Sequence, residues 1–123
     1  VMIVDDDPDA LALMDKILTD EGFELIKVSN ATEVGLKAAQ LSPDLILLDF
    51  LMPEINGFEV CTALRNNELT RGTPIMAVTC LTKEEDIERI FECGADEYLA
   101  KPFKADQLLE KVRELVGRSR TAG

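Results

Sequence analysis

Seven residues of this 123-residue chain combine type and spacing in a way that packing alone does not require: Asp5, Asp6 and Asp7 in one run, then Asp49, the Thr79–Cys80 pair and Lys101. Three or more carboxylates meeting in one pocket repel one another and raise each other's pKa unless a cation shares the pocket. Hard oxygen ligands of this kind suit Mg²⁺, which keeps several waters and takes only one or two carboxylates directly. A carboxylate beside such an ion can act as a nucleophile toward a phosphoryl group and become an acyl phosphate. Lys101 would supply a second cation and the Thr79 hydroxyl a donor, so that charge on all three equatorial phosphoryl oxygens is compensated during transfer. Taken singly, each residue has a plainer reading. Asp7 suits a helix cap, Asp49 a turn after a strand, Thr79 a strand interior and Lys101 a solvated charge. Their joint placement carries the chemical reading.

That placement depends on the elements between them. Short apolar runs at Val1–Val4, Glu24–Val28, Asp44–Leu48, Ile75–Thr79 and Glu97–Ala100 have the length of buried strands. Five amphipathic stretches separate or follow them. The first starts at Pro8 with Asp7 as its N-cap, carries Leu11, Met14, Ile17 and Leu18 on one face, and stops at Gly22. The second spans about Thr32 to Leu41 and ends before Ser42-Pro43, because a residue preceding Pro is pushed out of helical space. The third runs from about Gly57 to Asn66-Asn67, the fourth from Lys83 to Cys93 with Gly94 closing it, and the fifth starts near Lys104 with Leu108, Val112, Leu115 and Val116 on one face. Strands alternating with helices imply a parallel sheet with helices on both faces, a doubly wound α/β sandwich. In such sheets ligands bind beyond the carboxyl ends of the strands, where Asp5–Asp7, Asp49, Thr79–Cys80 and Lys101 all fall.

Bulk properties narrow the function classes. The length fits one domain with a single core. A net charge of −11 argues against a nucleic-acid surface on this chain, since phosphate neutralisation needs clustered Lys and Arg. No apolar run approaches the ~20 residues needed to span a bilayer. The absence of His removes the commonest catalytic base and zinc ligand. Cys61, Cys80 and Cys93 are odd in number and lack a C-x-x-C pair, which points to a reducing cytoplasm rather than a disulfide framework.

Four segments, VMIVDDDP, LILLDFLMPEINGFE, MAVTC and DEYLAKPF, together resemble the response-regulator receiver family of bacterial two-component signalling, over about residues 1–117. Thr79 lies thirty residues beyond Asp49 and Lys101 a further twenty-two, spacings similar to those of the family. The resemblance implies a flavodoxin-like (βα)5 three-layer sandwich with a parallel five-stranded sheet of order 2-1-3-4-5. It also implies that Asp49 accepts the phosphoryl group, that Asp6 ligates Mg²⁺ directly and that Asp5 acts through metal-bound water, with the Leu51 carbonyl completing the protein's share of the metal sphere. Thr79 resembles the switch hydroxyl, Lys101 the phosphate-binding lysine and Tyr98 the aromatic that follows Thr79. Pro53 and Gly57 match the turn after the acceptor, and Lys101-Pro102 resembles a bond that is cis in many receivers. Two positions depart from the pattern or vary within it. Cys80 stands where Ala or Gly is common and is expected to be a buried small hydrophobe. Leu51 and Leu81 occupy sites where relatives place polar groups that guide a hydrolytic water, so slow self-dephosphorylation is expected.

The function implied is a phosphorylation-activated switch, not a conventional enzyme, which takes its phosphoryl group from a histidine kinase or phosphotransfer protein and catalyses its own phosphorylation and slow dephosphorylation. The output surface would be helix four, strand five and helix five, with Glu84, Glu85, Asp96, Glu97, Tyr98, Lys104 and Arg113, acting on an output domain or a second copy. No direct nucleic-acid contact and no membrane contact are expected. Residues 118–123 read as a tail, linker or cloning remnant, and the start at Val1 within a strand suggests an excised domain. Two rivals remain. One is a phosphohydrolase using Asp5 as nucleophile and Asp7 as acid, and the other is a receiver-like docking module that is never phosphorylated.

Overall fold

A computed structural model describes residues 1–52 and 55–122, with Ala31, Ile55 and 118–122 described for their backbone alone. Pro53, expected in the turn after Asp49, lies outside the described residues. Parallel strands β1 (Met2–Val4), β2 (Ile26–Val28), β3 (Ile46–Leu48), β4 (Ile75–Thr79) and β5 (Glu97–Ala100) form one sheet in the order β2-β1-β3-β4-β5. Helices α1 (Pro8–Asp20), α2 (Ala31–Leu41), α3 (Gly57–Arg65), α4 (Glu84–Glu92) and α5 (Ala105–Ala122) alternate with them. This is the doubly wound sandwich expected. The strand order reverses between β1 and β3, which opens the crevice where such sheets bind ligands.

Period-two alternation divides the core between two faces. Val4, Ile46, Leu48, Ile75 and Ala77 face Val34 and Ala38 of α2, Cys61 and Leu64 of α3 and Ile90 of α4. Ile3, Leu47, Met76 and Val78 face Met14 and Leu18 of α1 and Leu108, Val112 and Leu115 of α5. Each Val, Leu, Ile or Met among them contributes about 1.5–3 kcal/mol on burial. β1, β3 and β4 are buried along their whole length, as central strands covered on both sides must be.

The helices begin where their caps dictate. Asp7 accepts from the Asp9 N–H, Asn30 from the Thr32 N–H and Asn56 from the Phe58 and Glu59 N–H groups. Asn30 moves the start of α2 to Ala31, one residue before the expected Thr32, and α2 ends at Ser42 with φ 46°. α4 starts at Glu84, with Lys83 as an N-cap that makes no side-chain capping bond. α5 stays helical through Ala122, beyond Gly117. The antiparallel ladder of Leu51–Met52 with Ile55–Asn56 was not anticipated, because two-residue strands have too little length to show a period. No helix of the described residues is long and apolar enough to cross a membrane.

Arg65, at the end of α3, ties together the edge of the sheet opposite the strand-end carboxylates. Its Nε donates to the Gly94 carbonyl at 2.9 Å, Nη1 to the Arg71 and Thr73 carbonyls at 3.0 and 2.6 Å, and Nη2 to Asp96 Oδ2 at 2.8 Å. Asp96 Oδ2 also accepts from the Ile75 N–H at 2.9 Å. Gly94 has φ 116°, and a Cβ there would stand 2.6 Å from Arg65 Cγ, so both conformation and space call for glycine.

Candidate functional site

The backbone ladder continues one residue beyond β1, β3 and β5. Asp5 N donates to the Val28 carbonyl at 3.3 Å, Asp49 N to the Val4 carbonyl at 3.0 Å and Lys101 N to the Thr79 carbonyl at 2.9 Å. These bonds hold the three side chains at one level of the carboxyl edge. Carboxylate oxygens of Asp5, Asp6 and Asp49 come within 4.8 Å of one another. Lys101 Nζ lies between two of these groups, 2.6 Å from Asp5 Oδ2 and 3.1 Å from Asp49 Oδ2. Asp5 and Asp49 are 1% and 5% exposed, so they leave water only because they are paired. Asp6 is exposed at the mouth.

The remaining oxygens are also held. Asp5 Oδ1 accepts the Asp7 N–H at 3.0 Å, and Asp49 Oδ1 accepts the Leu51 N–H at 2.9 Å. Burial pushes the Asp5 carboxyl above its ordinary value, and nearby Asp49 adds to the rise, which the Lys101 ammonium and the Asp7 N–H oppose without cancelling. Burial pulls the Lys101 ammonium down, but its contacts with Asp5 and Asp49 outweigh that, and it is held above its ordinary value. Both shifts favour a bound proton, on Asp5 chiefly because it is buried and on Lys101 because two carboxylates face it. An all-oxygen donor set short of positive charge is what a hard divalent cation fits.

Thr79 is fully buried at the end of β4, and its Oγ1 accepts the Leu81 N–H at 3.4 Å. The Tyr98 hydroxyl donates to the Leu81 carbonyl at 2.5 Å, which ties β5 to the loop after Thr79. The structure therefore joins Asp5, Asp49 and Lys101 by direct contact, with Asp6 beside them, and places Thr79 next to them through the backbone of Lys101. Leu51 meets the site through its N–H, while its side chain is 55% exposed. The Lys101–Pro102 bond is cis. Cys80 is exposed, not the buried hydrophobe expected, because the chain leaves the sheet immediately after Thr79. Asp7 Oδ1 accepts the Asp9 N–H at 3.0 Å, the α1 cap that is the plainer reading of this residue.

Some contributors were not legible beforehand. A Cβ at Gly57 would stand 2.5 Å from Phe50 Cα and 2.9 Å from the Asp49 carbonyl oxygen, so glycine lets α3 start directly against the peptide that follows Asp49. The sequence placed Gly57 at the start of the third helix and in the turn after Asp49, but did not reveal the close approach that requires a glycine there. Of the charges assigned to an output surface, Asp96 serves Arg65, Glu97 pairs with Lys111 at 3.0 Å, and Arg113 pairs with Glu21 at 2.5 Å.

Comparison with known proteins decides what kind of domain this is. Residues 1–113 match the sequence model of the response regulator receiver domain. The chain belongs to the response-regulator receiver family. Such a receiver is a phosphorylation-activated signalling switch of two-component systems rather than a conventional enzyme. The chain is 37% identical over 119 residues to the DNA-binding dual master transcriptional regulator RpaA of Synechocystis, covering 97% of this receiver and 49% of RpaA. It is 35% identical to the DNA-binding response regulator MtrA of Mycobacterium tuberculosis, covering 97% of this receiver and 51% of MtrA. The receiver domain of the sensor histidine kinase PA1611 from Pseudomonas aeruginosa, with a magnesium ion coordinated in its active-site cleft, superposes with a TM-score of 0.86 at 28% identity, covering 94% of this chain and 95% of that one.

This receiver thus spans about half the length of the curated relatives it matches. The expectation of no nucleic-acid partner is corrected by those relatives, which are named as DNA-binding proteins. A net charge of −11 disfavours phosphate contact only on the residues that carry it, and cannot speak for the other half of a longer protein.

Proposed function

We propose that this receiver takes a phosphoryl group onto Asp49 from a phosphohistidine of a sensor kinase or phosphotransfer protein. The observation that carries this reading is Lys101 Nζ held between the buried Asp5 and Asp49 carboxylates beside Asp6 at the carboxyl edge of the sheet. An Asp49 carboxylate oxygen attacks phosphorus, the P–O bond forms as the P–N bond breaks, and the electron pair leaves with the imidazole, which takes up a proton. Asp6 and Asp49 would hold Mg²⁺ directly with the Leu51 carbonyl, and Asp5 would act through metal-bound water. Bound there, the ion neutralises phosphoryl charge. Lys101 exchanges its carboxylate partners for a phosphoryl oxygen, and Thr79 turns its hydroxyl to another. That movement breaks the Leu81 N–H contact with Thr79, which frees the loop whose carbonyl holds Tyr98 and alters the α4, β5 and α5 surface.

Residues 1–117 would form the receiver proper, and the curated relatives it resembles carry about as much chain again. By analogy with RpaA and MtrA, the receiver would govern DNA binding by an output domain. A cytoplasmic site of action suits the kinase donor. Calorimetric titration with Mg²⁺ tests the metal centre. One ion per chain is expected, with affinity at least about tenfold lower in Asp6→Ala, since losing a direct ligand costs no less than losing an outer-shell partner. Absence of binding to the unaltered chain would remove the reading.

A further inference from the structure

Phe50 directly follows Asp49 and is only 4% exposed. Its ring meets that of Phe58, the second residue of α3, edge to face, with centroids 5.1 Å apart and planes at 74°. The Arg89 guanidinium of α4 stands over the other ring of this pair, Phe58, 4.2 Å from its centroid. Gly57 brings the α3 start against Phe50 Cα, so the Phe50 ring has Phe58 and the helix start as immediate neighbours. α4 itself is unevenly attached. At its C-terminal end the Cys61 thiol reaches the Cys93 carbonyl at 3.5 Å and Arg65 holds the Gly94 carbonyl, whereas at its start the Lys83 side chain makes no capping bond.

We propose that Phe58 and Arg89 are positioning residues for Asp49: through Phe50 they hold the peptide after the acceptor and link it to α4 by a contact that uses neither Thr79 nor Tyr98. Edge-to-face rings and a cation over a ring are directional, so a rotation of the Asp49–Phe50 peptide shifts Phe58 and costs the Arg89 contact. The converse holds by reciprocity, and a displaced α4 loosens the acceptor. The inference rests on Asp49 being the acceptor.

The test is affinity for beryllium fluoride, an acyl-phosphate mimic, with Mg²⁺ present, in the unaltered chain, Phe58→Leu, Arg89→Met, the double variant and Arg89→Lys. Each of the first two substitutions is expected to weaken binding about two- to fivefold, the range of an exposed cation–aromatic contact. The double variant should be no weaker than the weaker single one, and Arg89→Lys should restore most of the affinity, because a cation is again over the ring. A purely stabilising role would lower the melting temperature and leave affinity unchanged. Amide exchange of residues 84–92 should respond to beryllium fluoride in the unaltered chain and respond less in Arg89→Met, an exposed position where folding is not at risk. Unchanged affinity in both single variants, additive losses in the double one, or an unaltered α4 response would overturn the proposal while leaving Asp49 as acceptor. Failure of the unaltered chain to bind beryllium fluoride would remove the acceptor reading and this proposal with it.

Discussion

Lys101→Met is expected to destabilise the metal-free protein by about 3 kcal/mol at neutral pH, the lower end for breaking a buried ion pair, and to lower the melting temperature on the order of 10 °C. The ammonium is 12% exposed and touches two carboxylates, so its removal leaves Asp5 and Asp49 facing each other with no cation between them. Mg²⁺ should restore much of the loss, because an ion that binds only the folded chain stabilises it by mass action. The pH dependence has a definite sign. Asp5 is raised above 3.8, so its contribution is fully present below that value and is lost as pH rises through its folded value. Without the lowering influence of Lys101 the Asp5 value rises further, so the gap between variant and unaltered protein should widen as pH rises above the already raised Asp5 value and nearly close well below it. Urea melts in chelator at acid and neutral pH measure both effects. Equal stability at neutral pH would show that Lys101 does not neutralise the pair.

The second large effect concerns the lifetime of the acyl phosphate. Water attacking the phosphoryl group needs hydrogen-bond acceptors to orient it and receive its proton, and the side chains that flank the site, Leu51 and Leu81, provide none. Leu51→Asn combined with Leu81→Glu should speed loss of the phosphoryl group by roughly ten- to a hundredfold, approaching the range of a positioned general base. Both sites suit such a change: Leu51 is 55% exposed, and Leu81 is half-buried with its backbone already engaged by Thr79 and Tyr98. The decay of the phosphorylated mass after donor removal gives the rate. An unchanged rate would mean that the hydrolytic water is held by other groups.

Much of the site was readable because parallel strands impose a rule about place. A residue directly after a buried strand stands at the carboxyl edge, so Asp5, Asp49 and Lys101 could be grouped although 96 residues separate the first from the last. The caps were readable for a similar local reason, since Asp7 before Pro8 can hardly do otherwise. Arg65 was not readable. Three of its four acceptors are backbone carbonyls, which carry no residue identity, and the fourth, Asp96, was assigned to the output surface. The Phe58–Arg89 contact was hidden too, because two helices must be docked before residues 31 positions apart become neighbours, and neither residue type is unusual on a helix. The misreading about nucleic acid had another source. Net charge is a property of the residues counted, and these residues match half of relatives such as RpaA.

The central claim is that Asp5, Asp6, Asp49, Thr79 and Lys101 act together on one phosphoryl group, with Asp49 as its covalent acceptor. Intact-mass measurement after treatment with acetyl phosphate tests it most directly. The unaltered chain should gain the mass of one phosphoryl group with Mg²⁺ and none with chelator, and Asp49→Asn should gain none in either. Phosphorylation that persists in Asp49→Asn, or that proceeds equally without the ion, would contradict the account.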